Sequence, residues 1–118
     1  MRRNALVFWP LLCLCAACAA SEPMIPPHLK GKQLGTPTAF PEKYREAVVA
    51  AAGAVKAPHE FYVEIEEKPA EHSVVLHLWH ATAFLPENRG MMGNPGGQCR
   101  DIVYDTRARK VVKVLFWQ

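Results

Sequence analysis

The feature that most restricts this chain is a change of period at Glu60. Upstream, in "PEKYREAVVAAAGAVKAPHE", the apolar residues Tyr44, Val48, Ala51 and Val55 recur at three- and four-residue spacing, which predicts a helix. Pro41 suits its first helical position, Glu42 complements the positive end of the macrodipole, and Pro58 closes it. The stripe is mostly small, so the helix can lie close to a sheet, and Gly53 permits a close contact at a cost of about 1 kcal/mol relative to alanine. Downstream the period is two. In "EFYVEIEEK", Phe61, Val63 and Ile65 take one face and Tyr62, Glu64 and Glu66 the other, the pattern of a half-buried strand.

After a turn at Lys68 to Glu71, "HSVVLHLWHATAF" is apolar on both faces over about a dozen residues, as a central strand would be. A glycine-rich loop follows. Then "CRDIVYDT" and "KVVKVLFWQ" predict two more strands around a turn at Thr106 to Arg109, with Val112, Val114 and Phe116 on one face of the last and Val111, Lys113, Leu115 and Trp117 on the other. One helix and four sequential strands imply an α+β fold, an antiparallel meander with the helix across its concave face. Charge fits that order: residues 60–71 carry five glutamates and one lysine, residues 100–113 five basic residues and two aspartates. On opposite edges such charges oppose edge-to-edge aggregation.

The N-terminus reads as something that leaves the fold. Arg2 and Arg3, the apolar run Ala5 to Leu14 and the small residues Ala16 to Ala20 are ordered as a secretory signal over residues 1–20. The run is about ten residues, broken by Pro10, against the roughly 20 that a spanning helix needs. Two cleavages compete. An ordinary signal peptidase would cut near Ala17 to Ser21 and release a soluble periplasmic or secreted protein. Alternatively "LCAAC", Leu14 to Cys18, resembles a bacterial lipobox, with Cys15 in place of the usual aliphatic residue. Cys18 would then be lipidated, palmitate among its acyl chains, and would hold the protein in the cell envelope, on a membrane facing the periplasm or the exterior. A Cys18–Cys99 disulfide is a third fate.

Loss of Arg2 and Arg3 leaves 12 basic residues against 11 acidic ones, so the basic balance belongs largely to the signal and a nucleic-acid partner loses its support. Residues 21–40, with four prolines and two glycines, read as a semi-rigid tether with room for a short strand at residues 32–36. Residues 41–118 form the single domain.

The helix with its alanine-rich face, Trp79 on a strand, Gly96-Gly97 ahead of the next, Asp105 closing it and Val111 to Val114 in the last together resemble the small NTF2-like immunity domains found with bacterial toxins. Ala108 stands where such turns usually carry glycine, and cystatin-like and PepSY-like domains share much of the pattern. The resemblance, over roughly residues 41–118, implies a cone-shaped α+β fold and a binding role, including toxin neutralisation. It supplies no catalytic residues.

His72, His77, His80 and Cys99 are types that a metal site uses, but His77 and His80 fall on opposite faces, and His72 and His80 lie about 26 Å apart along a strand. Neither a metal nor a cofactor is expected. Cys99 could meet His77 from a neighbouring strand, yet no nucleophile elbow or paired-carboxylate motif accompanies them, so an enzyme is the minority reading.

The leading expectation is a lipoprotein whose domain binds a protein, a toxin or an envelope enzyme, through the loop residues Arg89, Met91, Met92 and Asn94 beside Tyr62, Glu64 and Glu66. A second is an NTF2-like cone with a ligand pocket or enzymatic site between helix and sheet, lined by Tyr44, Phe61, His77 and Trp79. A third is a structural envelope lipoprotein.

Overall fold

The computed structural model describes residues 22–88 and 97–118. A helix, α1 (Glu42–Ala52), lies on a sheet of β1 (Phe61–Lys68), β2 (Ser73–His80), β3 (Arg100–Asp105) and β4 (Lys110–Phe116). The strands run in the order β1-β2-β3-β4 and every neighbour is antiparallel, so the α+β meander expected from the sequence is the fold.

Register divides the sheet into two faces. Ile65 pairs with Leu76 and Leu76 with Ile102, which pairs with Val114, and this row faces the helix. Val48 and Ala51 of α1 meet it, buried together with Leu78, Phe61 and Tyr104. The small Ala47 and Ala51 let the helix approach closely, as the sequence stripe implies. The far face carries Glu64, His77, Asp101 and Leu115 in one row.

Several expectations are corrected. The helix stops at Ala52 rather than running toward Pro58, and Pro41 flanks it instead of opening it. Gly53 keeps right-handed backbone angles, and a Cβ there would meet only carbonyl oxygens of its own turn, so it makes no close contact with the sheet. The second strand is eight residues long and gives way to a 3-10 turn at Ala81–Phe84. Where β4 pairs with β3 the register shifts between Val103 and Tyr104 of β3, which pair with Lys113 and Val111. That bulge leaves Val112 over and puts Val111, not Val112, on the helix face with Val114 and Phe116.

The larger correction concerns the tether. Leu29, Leu34 and Phe40 are 1%, 0% and 4% exposed, so residues 29–40 belong to the domain. Each such side chain contributes about 1.5–3 kcal/mol of burial. Two short turns, Pro27–Leu29 and Pro37–Ala39, each opened by proline, aim these residues inward. Gly31, at a φ of +78°, supplies the bend that follows the first. Between the turns, Leu34 N–H donates to Phe61 O (3.0 Å), Val63 N–H donates to Lys32 O (2.9 Å), and Gln33 bridges to Tyr62. The short strand considered at residues 32–36 is thus a single bridge.

Candidate functional site

The four residues expected to line a pocket do not meet. Phe61 and Tyr44 lie on the helix side, whereas His77 and Trp79 pair with Glu64 and Tyr62 on the far face. The physical reason is the strict alternation of a strand: Phe61 pairs with His80, so odd-numbered residues of β2 share a face with even-numbered residues of β1. The space between helix and sheet is filled by Leu34, Phe40, Val48, Leu76 and Leu78. Phe61 is buried in that core, while the Tyr44 hydroxyl donates to Glu67 at the margin. An open groove of about 290 Å³ runs past Tyr44 between Lys32, Phe40, Val63 and Ile65.

On the far face, β1, β2 and β3 assemble a continuous ladder. His77 Nδ1 is 2.8 Å from Asp101 Oδ1, and its Nε2 is 3.0 Å from Glu66 Oε1. Trp117 Nε1–H donates to the same Asp101 oxygen (2.7 Å), and Trp79 Nε1–H donates to Glu64 Oε1 (2.8 Å). The rings of Trp79 and Trp117 meet edge to face at 4.7 Å, and Phe84 lies 5.6 Å from Trp79. Partial burial disfavours charge on His77, but its hydrogen bonds to Asp101 and Glu66 outweigh this and raise its pKa above the ordinary value. With each ring nitrogen already held by a carboxylate, His77 has none left to take a substrate proton as a general base. The ladder therefore orders a surface of aromatic and polar groups. Of the expected partner-binding residues, Glu64 and Glu66 are members of it, and Tyr62 lies beside it, within 3.5 Å of Gln33 Nε2.

Cys99 meets the backbone of His80. Its thiol accepts the backbone N–H of His80 (3.4 Å), and burial pushes its pKa up, the reverse of what a nucleophile needs. His80 is nearly buried; its Nε2 is 2.9 Å from Glu60 Oε1, its Nδ1 is 2.8 Å from Thr82 Oγ1, and its ring meets Phe61 edge-on. Sequence reasoning missed this set, although the His80-x-Thr82 spacing after a strand is the signal for it. Among the described residues no group of three or more His, Cys, Asp or Glu side chains is placed to hold a metal.

A second unforeseen cluster ties the last hairpin to the helix. Arg109 stands at a φ of +58° in the turn where glycine was missed, and its guanidinium forks onto Glu46 at 2.7 and 2.6 Å. The Tyr104 hydroxyl donates to the same carboxylate. These hydrogen bonds, from Arg109 first and Tyr104 second, lower the pKa of Glu46 to about 2. Asp105 closes the turn by accepting the N–H groups of Arg107 and Ala108, both at 2.8 Å.

β4 itself carries the most exposed apolar surface of the sheet: Val112, Leu115 and Phe116 are at least half exposed and Val114 is 39% exposed. Arg100 stacks over Phe116 at 4.4 Å and over Phe61 at 5.0 Å. Cys18 and the loop residues Arg89, Met91, Met92, Asn94 and Gly96 lie outside the described residues. Among the described residues no helix is long and apolar enough to cross a membrane. No family model, curated protein or solved structure matches the chain.

Proposed function

We propose that this chain is an exported bacterial lipoprotein, held to a membrane through Cys18, whose domain binds a protein partner and acts as an inhibitor or immunity protein. The observation that carries the binding role is β4. A strand with four exposed large apolar residues on the rim of a filled α+β domain has the character of an interaction surface rather than of a solvated edge. The filled helix–sheet interface weighs against a ligand pocket there and so supports partner binding over the small-molecule reading.

The test is made in intact cells. A photo-crosslinking residue at Leu115 is expected to capture a specific protein, whereas the same residue at Glu42, on the exposed start of α1, captures none. Equal capture at both positions, or at neither, removes the protein-binding role. The anchor is tested separately by palmitate labelling, which Cys18→Ala is expected to abolish; labelling that persists in the variant overturns the anchor.

A further inference from the structure

We infer that the open edge of β4 accepts an extended, acidic polypeptide segment as a fifth strand, an inference that rests on the protein-binding role proposed above and names the partner's chemistry. The backbone supplies the first half of the argument. Trp117 N–H donates to Cys99 O (3.1 Å), so Trp117 faces β3. By the alternation of an antiparallel ladder Leu115 and Lys113 do the same, while Val114 and Phe116 turn their N–H and C=O groups outward. Among the described residues, nothing pairs with β4 on that side. The opposite edge confirms the parity: Phe61 and Val63, which turn outward from β1, are the residues that bond to Leu34 and Lys32.

Side chains supply the second half. The segment "KVVKVLFWQ" has two lysines and no carboxylate. Among the described residues neither Lys110 nor Lys113 enters an ion pair, while the neighbouring acids are engaged: Asp105 with its turn, Asp101 with His77 and Trp117, Glu46 with Arg109. An incoming strand that alternates acidic and apolar residues would set its acids against Lys113 and Lys110 on the far face. Its apolar residues would lie against Val114 and Phe116 on the helix face.

Two other occupants fit less well. A second β4 laid antiparallel on the first about Val114 sets Lys113 opposite Leu115 and, having no acidic side chain, gives neither lysine a counter-charge. A bilayer would take the lysines and the apolar residues, but lipid chains offer nothing to the outward N–H and C=O groups.

The probe is a short fluorescent peptide of alternating glutamate and valine, titrated into the full-length chain in detergent micelles and read by anisotropy. Saturable binding is expected, together with slowed amide exchange at Val114 and Phe116. Lys110→Glu/Lys113→Glu is expected to weaken it about tenfold and to favour the lysine–valine counterpart instead. Methylating the peptide's alternate backbone nitrogens should abolish binding to the unaltered chain, which needs no variant to fold.

The inference is overturned if the charge-reversed chain binds the acidic peptide as well as the original, or if the methylated peptide binds equally. Dimer formation without peptide binding overturns it, as does lysine-dependent attachment to phosphatidylglycerol vesicles without peptide binding. If Leu115 still crosslinks its partner after the lysines are reversed, protein binding stands and the acidic-strand assignment falls. If Leu115 captures nothing in cells, the protein-binding role falls on its own.

Discussion

At the β1 edge, the outward backbone of Phe61 and Val63 is bonded by residues 32–34, and the exposed side chains beyond are glutamates. At the β4 edge nothing among the described residues covers the strand, its side chains are valine, leucine, phenylalanine and lysine, and the bulge at Val112 interrupts only the end near the turn. The two strands have similar lengths. What separates them is that the upstream segment folds over one edge, while among the described residues nothing folds over the other. An edge that a protein does not protect is an aggregation hazard unless something else occupies it.

The comparison breaks most severely at Leu34. Leu34→Ala is expected to cost about 2–4 kcal/mol, since the side chain is fully buried beneath the covered edge. Leu115→Ala, in the open strand, should stay within about 0.5 kcal/mol. Urea unfolding of both variants measures the contrast; a cost below about 1 kcal/mol at Leu34 would mean that the upstream segment is a tether after all.

A smaller effect comes from the ladder that spans β1 to β3. His77 has its pKa raised in the folded state, so its contribution to stability is fully present below its ordinary value near 6.5 and is lost as pH rises through the folded value. Solvent access at the site keeps the effect small. Nuclear magnetic resonance titration should place the His77 midpoint above 6.5. His77→Gln should flatten the stability profile in that window, and an unchanged profile would detach the ladder from stability. Glu46 has the opposite sign: its depressed pKa contributes above about 4.5, and that contribution fades as pH falls toward about 2. Glu46→Gln should therefore be milder when measured at the acid end of that range than at neutral pH.

The smallest effect expected lies away from both edges. Gly53→Ala should stabilise by about 0.4–1 kcal/mol, because the backbone there is right-handed and a Cβ meets only ordinary contacts. Thermal unfolding checks it, and a loss would mean that Gly53 does hold a close contact.

The strands were legible because alternation is a local signal. Phe61, Val63 and Ile65 face the helix as the sequence reading has them, and the order of the meander follows from their succession. Leu29, Leu34 and Phe40 were illegible for the opposite reason. Each is brought inward separately, with prolines and glycines between them, so no period connects them. The pocket failed because it drew residues from both faces of a sheet whose register the sequence does not state. The bulge failed in a related way, since one surplus residue in β4 exchanges the roles of Val111 and Val112. Arg109 occupies a left-handed position that turn chemistry assigns to glycine, and only its fork onto Glu46, 63 positions away, makes sense of it.

The segment that covers β1 also sets a leash. Leu29 is already locked into the core, and it follows Cys18 by only eleven residues, which stretch to about 40 Å at most. With a lipid on that sulfur the domain would ride close above the headgroups, unable to search far into the surrounding space. Whatever binds along β4 would have to come to the membrane to be caught.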